Sequence, residues 1–397
     1  MDLRTLPDGL TPEERCNERR SRIESETGID LGRLVTEEGR IDQADGKNCE
    51  QMIGTVPIPV GYAGPLPVIF SSGGKQTVHL PLATTEAALV ASINRGCKAI
   101  SASGEGVHTK SIHHGISRSL VLKPKDRKIR SYTAEIGKTE CAWKKIGEAT
   151  SSHLKIMKHE IDEADGYIFL TVFADTDEAM GMNMVTIAAQ AIGDWLARKL
   201  DAELITIAGN VDSDKKPSRR THDRGRGYEV TASALIPSSV IADVLKTTPE
   251  AMLDVADAKL KTGSKLAGAI GANLHAANIV AALYLATGQD AAHVVEGSLA
   301  DTKISPLPPG EGPGVRVEVR LPALLVGVRG GGTELPAQAQ CLNLLLGKNQ
   351  KLTANSQLPV KQQLAESIGA AVLAGELSLL AAQASQTLAA AHRKLAR

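Results

Sequence analysis

The chain has 397 residues, 42% of them apolar and 23% charged, with 45 Lys and Arg balanced by 45 Asp and Glu. That usage excludes a wholly disordered chain, and the length suits two or three domains with a core that needs no disulfide or metal staple. Zero net charge argues against a global attraction to nucleic acid or anionic membrane, and three Phe, two Trp and five Tyr are too few for a base-stacking platform.

In chain order, residues 1–45 are polar and charge-dense. Thr11-Pro12-Glu13-Glu14 reads as a helix start: a capping Thr, Pro in the first turn, then acids. The Gly/Pro-rich segment 53–61 suits a shaped loop, and 76–80 alternates like a strand. Thr84-Thr85-Glu86 then opens a helix whose apolar positions Leu89, Val90, Ile93, Cys97 and Ile100 fall at helical spacing. From 119 to 207 the pattern becomes strand 119–123, helix 135–160, strand 167–173, helix 178–200 and strand 202–207, a unit like a ferredoxin-type insert. A polar loop at 209–227 precedes a strand at 228–236. The remainder is largely helical (250–270, 272–287, 333–347, 357–395), with strand near 315–327.

The five cysteines (Cys16, Cys49, Cys97, Cys141, Cys341) are scattered and never form a Cys-x-x-Cys pair, so reduced thiols in a cytoplasm are expected rather than disulfides or zinc. The N-terminus lacks the apolar run of a signal peptide, and the apolar stretch 276–286 is too short to span a bilayer. A soluble protein is the expectation.

No phosphate-binding P-loop, zinc helix, nucleophile elbow or Rossmann glycine fingerprint is present. Glu86, Asp214-Lys215-Lys216-Pro217, Gln289-Asp290, Gly330-Gly331-Gly332 and His392 could carry chemistry, yet each has an ordinary rival. Glu86 favours a helix dipole, the charged loop is a solvated face, the glycines form a turn, and His392 is a lone residue near a terminus.

Taken together these segments closely resemble the 3-hydroxy-3-methylglutaryl-coenzyme A (HMG-CoA) reductase family. The resemblance runs through Asn48-Cys49-Glu50-Gln51-Met52-Ile53-Gly54, Ala83-Thr84-Thr85-Glu86, Met180-Gly181-Met182-Asn183-Met184, Asp214-Lys215-Lys216-Pro217, His275-Ala276-Ala277-Asn278, Gly288-Gln289-Asp290 and Ala374-Gly375-Glu376-Leu377. The blocks occur in family order from about residue 45 to the C-terminus, and their form is similar to the biosynthetic class I branch without its membrane anchor. The resemblance implies an α+β fold in which a small ferredoxin-like nucleotide-binding domain (119–207) is inserted into a large HMG-CoA-binding domain (46–118 and 208–397), after a helical segment (1–45). It also implies a cytoplasmic homodimer or higher oligomer with active sites completed across the subunit interface, and neither a nucleic-acid nor a membrane partner.

By the same resemblance, HMG-CoA is reduced to mevalonate with two NADPH and no metal. Lys215 would stabilise the oxyanion, Glu86 would protonate the aldehyde oxygen, Asp290 would link the two as a coupled set, and His392 would protonate the departing thiolate. Arg118, Asn210, Asp214, Lys216, Lys259 and Asn278 match residues that hold the HMG portion. Ser92, Asn94, Arg95 and Lys98 match coenzyme A contacts. Ser151, Met180, Gly181, Met182, Asn183, Met184, Gln289, Gly330, Gly331 and Arg397 match NADPH contacts. Four departures stand out: Ala208 and the pair Ser152-His153 replace family residues, 271–273 is one residue short, and Arg329 replaces an apolar residue before the glycine turn. Two other readings stand beside this one: NAD-dependent mevalonate oxidation as in class II, and RNA binding through the basic 215–227 loop.

Overall fold

A computed structural model of the chain describes residues 2–37, 39–125, 129–347 and 358–386. The first helix, α1 (Pro12–Thr27), begins where expected. Thr11 Oγ1 accepts the Glu14 N–H at 3.2 Å, and the Glu14 carboxylate accepts the Thr11 N–H at 2.8 Å. Arg15 grips Asp45 through two hydrogen bonds of 2.5 and 2.7 Å, and Arg19 donates to the Met52 carbonyl, so the helix is docked on the Gly/Pro segment.

Strands β1 (Val60–Ile69) and β2 (Lys75–Ala83) form an antiparallel hairpin. The following helix, α2 (Leu89–Ser103), starts later than Thr84-Thr85-Glu86 suggests. Ala88 takes a left-handed φ of 69° that breaks the helix, and Thr84 Oγ1 accepts the Glu86 N–H at 3.0 Å in a local turn.

Strand β3 (Val107–Pro124) is 18 residues long and serves two sheets. Its first half pairs with β1 and with β7 (Gly227–Pro237); its second half pairs with β5 (Tyr167–Asp175) and β6 (Ala202–Thr206). Gly115 marks the changeover, with φ of 83° and backbone of Ala174 only 3.0 Å from where a Cβ would stand. Between β3 and β6 lie α3 (Ile129–Lys138), α4 (Glu140–Glu148), β4 (Lys155–Ala164), β5 and α5 (Met182–Leu200). The strand order β6-β3-β5-β4, antiparallel throughout, is the ferredoxin-like order. The helix expected at 135–160 is therefore two helices and an edge strand. Edge strand β4 is largely exposed or half-buried, so its sequence lacks the alternation that signals a strand.

The second half adds α6 (Pro249–Ala256), α7 (Ala276–Thr287), β8 (Asp301–Pro306), β9 (Gly314–Leu324), α8 (Pro336–Leu346) and α9 (Val360–Ala384). Helix α6 runs on through a π-helical stretch, Asp257–Gly263, into Ser264–Ala267. The larger sheet has the order β2-β1-β3-β7-β9-β8. Beside a small cluster of Cys16, Ile41, Ala44 and Met52, two large apolar cores result among the described residues. One joins this sheet to α2, α6, α7, α8 and α9, and the other joins α3, α4 and α5 to the ferredoxin-like sheet, with Ala323 and Leu325 reaching into it from β9 and the residues after it.

Unlike the 276–286 stretch, which is too short, helix α9 is long and apolar enough to cross a membrane by length and composition. However, 94% of its most apolar window is buried inside the protein, which is the mark of a core helix. Two fully buried acids fix it in place. Glu366 accepts from Ser71, Thr109 and Ser111, and Glu376 accepts from the main chain of Leu274 and His275 and from Thr302.

Candidate active site

A cleft of about 480 Å³ opens where the two cores meet. One wall is the approach to and first turn of α5: Met180, Gly181, Met182, Asn183 and Met184. The other is the turn after α7, with Gly288, Gln289 and Asp290, together with Arg329 and Gly330–332; Arg118, Asp214 and Lys215 lie between them. Gly181 caps α5 with φ of 96°, and a Cβ there would lie 2.3 Å from Thr176, so only glycine lets the chain turn into the helix at this point. Gln289 holds the opposite wall by exchanging two hydrogen bonds with the main chain of Gly327, at 2.8 and 3.0 Å.

Lys215 Nζ stands 2.8 Å from Asp290 Oδ2. Burial alone would raise the Asp290 carboxyl. The Lys215 ion pair, the Ala292 N–H and nearby His293 outweigh it and hold the group below its ordinary range. Asp290 thus stays ionised and keeps an ammonium in the cleft. Arg118 lies 3.6 Å from both Asp212 and Asp214 and donates to Thr186 Oγ1 at 2.9 Å. Lys216 Nζ donates to the Asp214 carbonyl at 2.9 Å.

Beneath the cleft lies a layer that motif reading missed. Arg226, 1% exposed, donates to Glu296 at 2.9 Å, to Asp214 at 3.0 Å and to Ser117 at 3.0 Å. Glu296 is fully buried and accepts the main-chain N–H of Lys215 at 2.5 Å. No local spacing links residues 214, 226 and 296, so motif reading found Asp214 but had no signal for Arg226 or Glu296. Asp214, His293 and Glu296 lie close enough to hold a metal ion, but the Arg226 guanidinium already supplies the cation there.

Of the residues singled out from sequence, Arg118, Asp214, Lys215, Asp290, Gln289, Met180–Met184, Gly330 and Gly331 line this one cleft. Ser151 sits behind it, with Oγ 3.5 Å from Met184 Sδ. Asn210 shapes the loop: its φ is 63° and its carbonyl accepts the Ser213 N–H. Lys259 and Asn278 do not line the cleft.

Glu86 is not brought to Lys215 and Asp290 within one chain. It is exposed ahead of α2 and makes no hydrogen bond or ion pair with either among the described residues, so the coupled set reduces here to a pair. On α2, Asn94 and Lys98 are exposed, Asn94 accepting the Gly64 N–H. Ser92 and Arg95 instead bond Ser378 of α9, Arg95 through both Oγ and the carbonyl, so the guanidinium expected to meet phosphate is engaged in helix packing. His392 and Arg397 lie outside the described residues.

The basic loop is neutralised by its surroundings. Arg220 pairs with Glu160 at 2.6 Å and Asp162 at 2.7 Å, and Arg224 pairs with Glu160 at 2.9 Å, which stitches the loop to β4 and removes the basis for an RNA-binding face.

Known proteins resemble the chain along most of its length. The family profile described as hydroxymethylglutaryl-coenzyme A reductase matches residues 15–397. The 3-hydroxy-3-methylglutaryl-coenzyme A reductase of Haloferax volcanii is 38% identical over 382 residues, covering 96% of this chain and 92% of that one. The enzyme of the same name from Halobacterium salinarum is 40% identical, covering 90% and 86%. Among solved structures, a class II 3-hydroxy-3-methylglutaryl-CoA reductase from Streptococcus pneumoniae, bound to NADPH in open conformations, superposes with a TM-score of 0.68 at 18% identity, over 92% of this chain and 96% of that one. That likeness shows the shared fold and gives no support to the class I form suggested by the motifs. With the profile, the relatives and the cleft in agreement, the chain belongs to the hydroxymethylglutaryl-coenzyme A reductase family.

Proposed function

We propose that the protein reduces HMG-CoA to mevalonate and free coenzyme A with two molecules of NADPH. The observation that carries this reading is the Lys215–Asp290 pair, an ammonium fixed at 2.8 Å from an ionised carboxylate in the cleft between the two cores. Hydride addition to a thioester carbonyl builds charge on oxygen, and a preorganised cation is what such a step needs. Lys215 meets the hemithioacetal oxyanion first. That intermediate collapses to the aldehyde and expels thiolate, and after a second hydride Lys215 meets the alkoxide. One proton goes to the thiolate and one to the alkoxide, which balances the two hydrides.

The nucleotide supplies those hydrides, and the cleft suits it. The first turn of α5 carries no acid, and Gly330 and Gly331 face open space where a phosphate chain can approach the backbone. The NADPH-bound state of the Streptococcus pneumoniae enzyme, which shares the fold, supports the choice of nucleotide. Arg118 and Asp214 border the space for the acyl group, with Lys216 bonded to the Asp214 carbonyl beside them, while Asn94 and Lys98 on α2 present an exposed face for coenzyme A.

Glu86 is the proton donor to the aldehyde in this reading. Glu86 makes no hydrogen bond or ion pair with Lys215 or Asp290 among the described residues, which supports delivery by a second copy and a working form that is a homodimer or larger. His392 and Arg397 are assigned to thiolate protonation and to the 2′-phosphate. The two cores support a division into a nucleotide domain at 119–207 inserted in a substrate domain at 46–118 and 208–397, after the segment 1–45. Thr84-Thr85-Glu86 and Asp214-Lys215-Lys216-Pro217 favour the class I branch, and five unpaired cysteines favour the cytoplasm. Absorbance at 340 nm tests the whole reading: HMG-CoA should drive NADPH loss, and faster loss of NADH, or preferred oxidation of mevalonate with NAD⁺, would replace it with the class II reading.

A further inference from the structure

Lys215 is held at both ends by a single short segment. Asp290 takes its ammonium, and Glu296, six residues further on, takes its main-chain N–H at 2.5 Å. Between these contacts Lys215 has a φ of 57°, a left-handed conformation that a side-chain-bearing residue adopts only when its surroundings hold it there. The same Glu296 oxygen accepts from Arg226 Nη1 at 2.9 Å and faces His293 Nδ1 at 3.3 Å, while its other oxygen has no hydrogen-bond partner among the described residues. A fully buried carboxylate used so unevenly does more than neutralise a guanidinium. Arg226 already has Asp214 at 3.0 Å and Asp212 at 3.9 Å.

We propose that Glu296 is a positioning residue: through the Lys215 N–H it fixes the backbone that aims the ammonium at the reacting oxygen. It touches neither substrate nor nucleotide and acts only through Lys215. The segment from Asp290 to Glu296 is then a two-point clamp, and the direction of the Lys215 side chain is set by its length. This inference rests on the reductase reading above.

Two variants separate positioning from plain charge balance. E296Q keeps the reach of the side chain and an acceptor oxygen for the Lys215 N–H but loses the charge facing Arg226. E296D keeps the charge but draws the acceptor back by one methylene. In the full chain, positioning predicts that E296D lowers kcat at least tenfold with KM for HMG-CoA within about threefold, while E296Q stays within about threefold of the parent in both. Charge balance predicts the reverse order, with E296Q the damaged enzyme; that order, or equal kcat in all three proteins, overturns the proposal.

A second measurement does not depend on turnover. Acylation of Lys215 by a lysine-selective ester, followed by mass spectrometry, should speed up in E296D and not in E296Q, because a released ammonium leaves Asp290. Unchanged labelling in E296D also overturns the proposal. Failure of the parent enzyme to oxidise NADPH with HMG-CoA would count against the reductase reading instead, leaving the labelling result to judge the clamp.

Discussion

Asp212 and Asp290 are both acids beside cations, yet they titrate in opposite directions. Asp290 is held low by Lys215 despite partial burial, whereas burial of Asp212 outweighs Arg226 and Arg118 and pushes it up; neither of its oxygens has a hydrogen-bond partner among the described residues. A carboxyl with a lowered folded pKa stabilises above its unfolded value near 4 and loses that contribution as pH falls. A raised one has the opposite sign, weakening the fold once it ionises. D212N should therefore raise Tm at pH 7, and the gain should vanish as the pH approaches 4, read by thermal unfolding at both values. At the proposed catalytic centre, K215A should lower kcat by at least ~100-fold with the far-UV spectrum unchanged, since on that reading it removes the charge that meets the oxyanion. Arg329 also lines the cleft and, unlike Arg118 and Lys215, faces no carboxylate among the described residues. It is therefore free to take a nucleotide phosphate. R329V should raise KM for NADPH several-fold with little change in kcat, and an unaltered KM would mean the phosphates are held elsewhere.

Helices α2 and α9 cross where Gly96 lies flat against the backbone of α9, so a Cβ at 96 would fall 1.9 Å from the Ala374 carbonyl oxygen. G96A has no flexible side chain to push aside and should cost about 1–3 kcal/mol, or more, in denaturant unfolding. Helical spacing in 89–100 made α2 legible in the sequence, because it buries an apolar stripe, while α9 falls within the apolar stretch 357–395 that reads as helical without a period. The start of α2 was not legible. Thr84-Thr85-Glu86 reads as the opening of the helix, and only the left-handed Ala88 in the folded chain shows that it forms a separate turn. Strand β4 was hidden for a related reason, since an edge strand wetted on both faces has no period to read. At the site, contiguous motifs found Lys215, Asp290 and the Met180–Met184 wall. The buried Arg226–Glu296 layer, assembled from distant positions, left no local signal.

Taken as a whole, the molecule places the residues assigned to the proposed chemistry on two surfaces. The cleft between the cores holds Lys215 and Asp290, while Glu86 is exposed ahead of α2, beside the β1–β2 hairpin. An acid meant to hand a proton to an oxygen held by Lys215 must come within hydrogen-bond reach of it. One chain does not bring that about, and a symmetric dimer can do so twice. Mixing two inactive proteins tests the geometry. E86Q chains keep Lys215, and K215A chains keep Glu86. If each site takes Lys215 from one copy and Glu86 from the other, a hybrid dimer has one intact site and one lacking both groups. Random exchange makes half of the dimers hybrids, so an equimolar mixture, dissociated and reassembled, should recover about a quarter of the parent activity. Were both residues drawn from the same copy, every site in every dimer would lack one of them, and the mixture would stay as inactive as its components.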